Sequence, residues 1–322
     1  MSADVVVVGA GLAGVACACE LRRAGVGVSV VDRGHRPGGR MASRRLWDRP
    51  VDLGASYFTV SDGGFEDAVD DWSRRGLATP WTETFCVLED GEVRVSSGPA
   101  RLGAPRGLRS LVEDLAAGLE VESRPVEDVA DLDAAAVVLA MPDPQARRLV
   151  RDHPLAASLD RDWEPVIAVA ARWPERTWDD VSPSGRFDGA FVNGDPALGW
   201  VADDGRRRGD DAPVLVLHST SDLAGRHLED PASAVPAMVG SVRRLLGLPE
   251  PADTYAHRWT FARPVGERED PYALVGGPAG LVGVCGDGWG AKPRVEAAWL
   301  SGVALARELV DRLEPSSARP EA

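Results

Sequence analysis

Residues 4–8 open the chain as a short, almost unbroken apolar run, the pattern of a strand buried on both faces. The run breaks at Gly9-Ala-Gly-Leu-Ala-Gly14. A helical pattern then continues through Ala24 and stops at Gly25. A second apolar run over 26–31 ends on Asp32. Together these segments predict one β-α-β unit, the first piece of a doubly wound parallel sheet. Further helices are predicted over 65–75, 107–118, 233–246 and 295–313, and a hairpin over 81–95 turning at Asp90-Gly91. Apolar runs at 135–141, 166–173, 214–218 and 281–285 read as strands. Residues 33–45, rich in Arg and Gly, look too broken for regular structure.

The texture changes along the chain. The middle, about 160–260, mixes Trp, Pro and strand-like runs, whereas the last part returns to the strand–glycine–helix pattern of the start. The organisation expected is a nucleotide domain built from both ends with a second domain inserted. The Pro/Ser/Glu-rich tail, 315–322, is expected to be disordered.

Charge narrows the partners. The net charge of −14 gives no general attraction to nucleic acid or to an anionic membrane, so any anionic ligand needs a local site. Cys17, Cys19, Cys86 and Cys285 show no metal-ligand spacing and read as reduced, buried residues. The opening apolar run is too short for a signal peptide or a membrane span, and a cytoplasmic protein without membrane contact is expected.

The local anion site is the N-terminal glycine turn. Gly9, Gly11 and Gly14 fit G-x-G-x-x-G between a strand and a helix. The first glycine permits the tight turn, the second lets backbone approach a pyrophosphate, and the third lets helix and strand pack closely. The helix start, with Leu12 and Ala13, adds backbone donors beneath the phosphates. Asp32 is placed to take the ribose hydroxyls. FAD and NAD share this fingerprint, and the next segment separates them. In Arg33-Gly-His-Arg-Pro-Gly-Gly-Arg-Met-Ala-Ser-Arg-Arg45, Gly39 permits a second close backbone approach and Arg40 brings a guanidinium for phosphates.

This arrangement resembles the glutathione-reductase-type FAD fold, particularly its amine-oxidase branch. Val284-Cys-Gly-Asp287 followed by the helix 295–313 resembles the second FAD motif of that fold. There a strand-end Asp meets the ribityl chain or phosphate and the next helix start faces the flavin, where it favours a reduced, negatively charged ring. The resemblance implies FAD held noncovalently by Gly9, Gly11, Leu12, Ala13, Gly14, Asp32, Arg33, Gly39, Arg40, Met41, Gly54, Ala55 and Val126 on one side. Gly286, Asp287, Arg294, Val295 and Glu296 supply the rest. It also implies the fold class: α/β, a Rossmann-like FAD-binding domain with an inserted α+β substrate domain, in the two-domain manner of p-hydroxybenzoate hydroxylase. The expected boundaries are 1–58, 99–146 and 274–314 for the FAD domain, and 59–98 and 147–273 for the substrate domain. No metal is expected.

Within that branch the chain resembles renalase-like proteins. The matching segments are Pro37-Gly-Gly-Arg-Met-Ala-Ser-Arg44, Val51-Asp-Leu-Gly-Ala-Ser-Tyr-Phe-Thr59, Pro80-Trp-Thr82, Leu139-Ala-Met-Pro-Asp-Pro-Gln-Ala146, Leu217-His-Ser-Thr-Ser221, His257-Arg-Trp-Thr-Phe-Ala-Arg-Pro264 and Arg294-Val-Glu-Ala-Ala-Trp-Leu-Ser-Gly302. The resemblance implies oxidation of aberrant dihydro-NAD(P) isomers by hydride transfer to flavin N5, with O2 as the second partner and H2O2 as product. Such a reaction makes an aromatic ring and needs a flat slot more than an acid or base. Tyr57, Phe58, Trp81 and Trp259 are the candidates for that slot. His218 and His257 read as structural or hydrogen-bonding residues. Two departures stand out. Trp200-Val-Ala202 leads into Asp203-Asp-Gly-Arg-Arg-Arg208, expected as an altered loop near the substrate opening. The segment Gly286-Asp-Gly-Trp-Gly-Ala-Lys-Pro293 brings in Lys292, expected as a surface or phosphate-contacting residue. The alternatives left open are an amine oxidase, another FAD-dependent oxidase or dehydrogenase of a hydrophobic substrate, and a non-catalytic flavin- or NAD-binding module.

Overall fold

The computed structural model describes residues 4–277 and 280–313, so the tail 315–322 lies outside the described residues. The chain is α/β and its described residues divide into two compact units: those within 4–39, 112–162 and 264–313 form the first, and 40–111 and 163–263 the second.

The first unit is a six-stranded sheet ordered Ala273–Gly277, Gly280–Val284, Ala136–Leu139, Val5–Val8, Val28–Asp32, Val121–Ser123. All pairings are parallel except that of the edge strand Ala273–Gly277 with Gly280–Val284. Strand Val5–Val8 sits centrally and is wholly buried, which is what a continuous valine run demands. Its partner Ala136–Leu139 is fully buried as well. Helix Leu12–Arg23 and the C-terminal helix Val295–Leu313 pack together, closely enough that a Cβ on Gly302 would lie 2.1 Å from the Ala13 carbonyl oxygen.

The second unit is a seven-stranded sheet ordered Asp253–Pro264, Trp163–Arg172, Val214–Ser219, Leu198–Asp203, Gly189–Val192, Thr79–Glu89, Glu92–Gly103. Its neighbours run antiparallel through Trp163–Arg172, Val214–Ser219 and Leu198–Asp203, whereas Gly189–Val192 pairs parallel with Thr79–Glu89. One face is sealed by helix Val235–Leu246, which buries Met238, Val242 and Leu246 against Ile167, Val169, Leu215 and Leu217.

The division differs from the expected boundaries at four places. Residues 40–58 and 99–111 group with the second unit, because strand Glu92–Gly103 runs unbroken through position 99 and bridges Phe58 at Leu102. Residues 147–162 and 264–273 group with the first, because helix Asp143–Val150 and the turn Pro154–Ser158 bury Val150 and Leu155 in its core. The segment 33–45, expected to be irregular, runs into a hairpin, Ser43–Leu46 with Arg49–Asp52.

Candidate functional site

In the first unit the glycine turn has the form of an anion cradle. Gly9 holds φ +114°, and a Cβ there would lie 2.6 Å from the Ala140 carbonyl oxygen, so only glycine fits. A Cβ on Gly14 would sit 2.0 Å from the Gly9 carbonyl oxygen, which forces the helix start against the turn. Gly11 and Gly39 face each other: a Cβ on Gly39 would lie 3.1 Å from the Gly11 Cα. The helix Leu12–Arg23 has Gly11 as its N-cap, no side-chain cap and no acid in its first turn, so the amides of Leu12, Ala13 and Gly14 are left for a ligand. Asp32 ends its strand with both oxygens engaged, accepting from Ala10 N at 2.7 Å and Gly34 N at 2.6 Å. Each oxygen keeps lone-pair capacity for a ribose hydroxyl. This donor set and the side-chain-free cradle fit a pyrophosphate and its ribose. Arg33 is exposed, and Val126 is half-buried against the same core.

The C-terminal motif lies in this unit too. Gly286 follows strand Gly280–Val284 and donates its N–H to Ser301 Oγ at 2.9 Å, tying the turn to helix Val295–Leu313. Val295 opens that helix. Glu296 in its first turn is fully buried and paired with Arg294 at 2.9 Å. The turn is braced from behind. Arg161 donates to the carbonyls of Gly288, Val265 and Gly266, and Arg268 stacks 3.9 Å from the Trp289 ring while pairing with the buried Asp143 at 3.0 Å. Asp287 adds a carboxylate that acts electrostatically on Arg161. Burial pushes the Cys285 thiol up to about 12, which leaves it unreactive beside the turn. Lys292, the single lysine of the chain, is exposed.

In the second unit the segment 52–57 has little regular structure after strand Arg49–Asp52 and is held by side chains reaching it from far along the chain. The Leu53 carbonyl accepts from Trp259 Nε1 at 2.9 Å and from His218 Nε2 at 3.0 Å. The Ser56 carbonyl accepts from Arg207 at 2.8 Å, and Ser56 Oγ accepts from Trp200 Nε1 at 3.0 Å. Gly54 and Ala55 run against Arg40, whose carbonyl accepts from Ala55 N at 3.0 Å. Arg40 itself stacks 4.9 Å from the Trp163 ring and reaches the Ala262 carbonyl, and Met41 is buried.

Segment 203–208 departs from expectation. It is a short helix, Asp204–Arg208, with Asp204, Arg207 and Arg208 buried, not an open loop. Asp204 pairs with Arg207, with Arg208 at 3.0 Å and with Arg49 at 2.6 Å, and Arg208 also pairs with the buried Asp52 at 2.8 Å. Burial alone would raise the Asp204 pKa, but Arg208, Arg207 and Arg49 together hold its carboxyl well below the usual range. The arginine run is internal because its charges are matched.

The four proposed slot aromatics do not come together as one group. Tyr57 and Trp81 do, with ring centroids 6.1 Å apart. Phe58, the next residue, points the other way and packs on Phe65 and Trp72, since neighbours on extended backbone alternate faces. Trp259 belongs to a group with Leu53, Tyr255 and His257, whose ring lies 4.5 Å away. Instead Phe85 and Trp200 join Tyr57 and Trp81, at 5.3 and 6.0 Å from Tyr57, with Phe191 at the rim. Sequence reading missed these because an aromatic at a buried strand position carries no mark that distinguishes core from site. Two arginines attend the cluster. Arg101 stacks 4.1 Å over Phe85, and Arg207 lies 5.8 Å from Trp81. Both histidines are pushed toward the neutral form. Burial, with help from Arg263 and Arg207 and against the Leu53 bond, pushes His218 down to about 3, so it stays neutral with Nε2–H donating. Burial and Arg44 and Arg258 lower His257 as well.

Comparison with known proteins places this geometry. The family model for the flavin-containing amine oxidoreductases matches residues 74–310, and that for NAD(P)-binding Rossmann-like domains matches 7–72. The chain belongs to the flavin-containing amine oxidoreductase family. FAD is accordingly its cofactor, and the glycine cradle with Asp32 is where the residues fit its pyrophosphate and ribose. Among curated proteins, a Mycobacterium tuberculosis protein named among the flavin-containing monoamine oxidases is 47% identical over 66 residues, 20% of this chain and 14% of that one. A phytoene desaturase of Rhodobacter capsulatus is 49% identical over 57 residues, 18% of this chain and 11% of its own. The chain thus matches only a small part of these relatives' length. Among solved structures, cyclohexylamine oxidase from Brevibacterium oxydans superposes with a TM-score of 0.75 at 16% identity, covering 98% of this chain and all of that one, 100%. Putrescine oxidase bound to putrescine gives 0.70 at 16% identity, covering 97% and 100%. At such identities the likeness is one of fold. Among the described residues no helix is long and apolar enough to cross a membrane, and no metal-binding group occurs.

Proposed function

We propose that this chain is an FAD-dependent oxidase that takes a hydride from a dihydronicotinamide dinucleotide carrying its extra hydrogen at ring position 2 or 6, and returns ordinary NAD(P)+. The observation that carries the reading is the aromatic cluster of Tyr57, Trp81, Phe85 and Trp200, which offers rings and N–H donors and, apart from the Tyr57 phenol, no ionisable side chain among its members. Loss of hydride leaves an aromatic pyridinium, so no group is needed to remove a proton. The neutral His218 matches that requirement, its Nε2–H being committed to the Leu53 carbonyl. FAD, held at the glycine cradle and Asp32, would supply the hydride acceptor at N5 and the route by which the electron pair reaches O2 as H2O2. The chain's part is to hold the ring, exclude water and keep segment 52–57 in place through Trp259, His218 and Arg207. The buried thiol of Cys285 supports noncovalent attachment.

A second reading is oxidation of an amine. It is favoured by the family match and by the substrates in the names of the structural neighbours, cyclohexylamine oxidase and putrescine oxidase. The arginines beside the rings weigh against a simple cationic amine, which they would repel. The test is anaerobic: the 6-dihydro isomer of NADH is added to the FAD-loaded protein and the flavin absorbance near 450 nm is followed. Bleaching by the isomer, with amines inert, is the expected result. A flavin that stays oxidised with the isomer and is bleached by an amine overturns the first reading in favour of the second.

A further inference from the structure

The aromatic cluster contains an ionic feature that hydride transfer does not use. Arg101 lies on strand Glu92–Gly103 opposite Thr82, between two irregularities of the pairing with strand Thr79–Glu89. Because Leu102 bridges Phe58 in both directions, Arg101 and Tyr57 turn to the opposite face, and the guanidinium comes to rest among the rings. It lies 4.1 Å from the Phe85 centroid and 5.9 Å from that of Tyr57, and the residue is only 8% exposed. Its Nη1 is buried without a hydrogen-bond partner, and among the described residues no carboxylate pairs with it. Two neighbouring donors share that condition. Trp81 Nε1 is buried and unpartnered, and so is Nε of Arg207, whose guanidinium lies 5.8 Å from the Trp81 ring.

Every other buried arginine of this unit has its counter-charge. Asp204 serves Arg207 and Arg208, and Asp52 serves Arg208 again. Arg101 alone among these is a buried cation balanced only by ring faces. Ring quadrupoles offset part of its desolvation and leave its in-plane N–H donors empty. Buried donors without an acceptor are complementary to an oxyanion, and a guanidinium fork matches a carboxylate or phosphate edge. Phe191, 41% exposed and 4.9 Å from Trp200, carries the cluster out to the surface.

We infer that Arg101, with Trp81 Nε1 and Arg207 beside it, is the recognition site for an anionic group of the substrate, a carboxylate or a phosphate borne next to a flat ring. The inference rests on the reading that this cluster receives the substrate. It narrows the substrate class in either chemistry: a dinucleotide qualifies through its phosphates and an aromatic acid through its carboxylate, whereas a plain alkylamine does not.

The test uses oxidised, FAD-loaded full-length protein titrated by flavin difference absorbance with benzoate, its neutral isostere benzamide, the cation benzylamine, and NAD+. Wild type is expected to bind at least one of the two anions about tenfold or more tightly than the neutral and cationic probes. Arg101→Met erases that preference while leaving benzamide within about twofold, and Arg101→Lys restores part of it. The unchanged benzamide affinity and the flavin spectrum report an intact fold. Loss confined to benzoate assigns a carboxylate-bearing substrate, and loss confined to NAD+ assigns the dinucleotide phosphates. In turnover the same variant raises KM for the anionic substrate about tenfold or more with little change in kcat. The inference is overturned if no probe binds, if benzoate and NAD+ bind no better than benzamide, or if Arg101→Met leaves the preference in place. The two proposals fail separately. Flavin bleaching by the dihydro isomer at unchanged KM in Arg101→Met sinks the anion site alone. Arg101-dependent anion binding in a protein the isomer cannot bleach sinks the dihydronicotinamide reading alone.

Discussion

Replacing Asp204 by Asn tests whether the buried arginine helix is held by charge matching. In the native protein Asp204 is fully buried and pairs with three guanidiniums. After the change Arg208 keeps Asp52 and Arg49 keeps Asp210, at 2.8 and 2.9 Å. Arg207 keeps the carbonyls of Ser56 and Asp52 and at most an amide oxygen at position 204, and becomes a fully buried cation without a carboxylate. Stranding one charge of a buried pair costs about 3–5 kcal/mol. At roughly 2–4 °C per kcal/mol for a unit of this size, the second unit should melt about 6–20 °C lower. Calorimetry of wild type and Asp204→Asn at matched FAD occupancy reads that shift. The double variant Asp204→Asn/Arg207→Met removes the stranded charge as well and should recover a good part of the loss, because the two changes are coupled. The Asp204 carboxyl is held below its unfolded value of about 3.9, so its stabilisation is complete above that pH and fades as pH falls below it. The gap between wild type and Asp204→Asn should therefore narrow below about pH 4. A melt within 2 °C of wild type, or a double variant as unstable as the two single losses added together, would refute the charge-matching account.

Asp32→Asn removes the acceptor charge facing the ribose while keeping the side-chain shape, and should weaken FAD retention about tenfold or more, measured by equilibrium dialysis of released flavin. His218 is neutral in the fold at a pKa of about 3, against about 6.5 in an unfolded chain, so the unfolded state gains its proton first and stability falls as pH drops from 6.5 toward 3. In His218→Gln the slope of stability against pH over that window should flatten by about 1.4 kcal/mol per pH unit at most, seen by urea unfolding at several pH values. Lys292→Met should leave the rate of flavin reduction by the favoured substrate within about twofold, because an exposed, well-solvated side chain contributes little; a large loss in stopped-flow reduction would give that lysine a role.

How much of this was legible in the sequence follows from the range of the interactions involved. The first β-α-β unit and Asp32 were legible because a valine run, a glycine turn and a helical period are all local signals. The turn at Asp90-Gly91 was too, since both residues hold positive φ, 51° and 82°, as a two-residue hairpin requires. The hairpin Ser43–Leu46 with Arg49–Asp52 left no such mark. Its turn residues Trp47 and Asp48 also take positive φ, 49° and 61°, without a glycine between them. The helix Asp204–Arg208 was expected as an altered loop near the substrate opening because its matching charges, Asp52 and Arg49, lie about 150 residues earlier. Strand Asp253–Pro264 mixes Arg, His and Thr with aromatics, as an edge strand can, and shows little apolar run. The candidate site was less legible for the same reason: of the four aromatics singled out only Tyr57 and Trp81 come together, and the place of Arg101 follows only from the rings that fold around it.

The exposed Lys292 gives the molecule a chemical address. With 35 of its 36 basic Lys and Arg side chains carrying guanidinium, an acylating dye used at mildly alkaline pH finds one side-chain amine, placed five residues beyond Asp287. The four cysteines are all buried and do not compete. Once the more acidic α-amine has been capped nearer neutral pH, a reporter can therefore be placed beside the turn at Gly286 without first stripping out native residues.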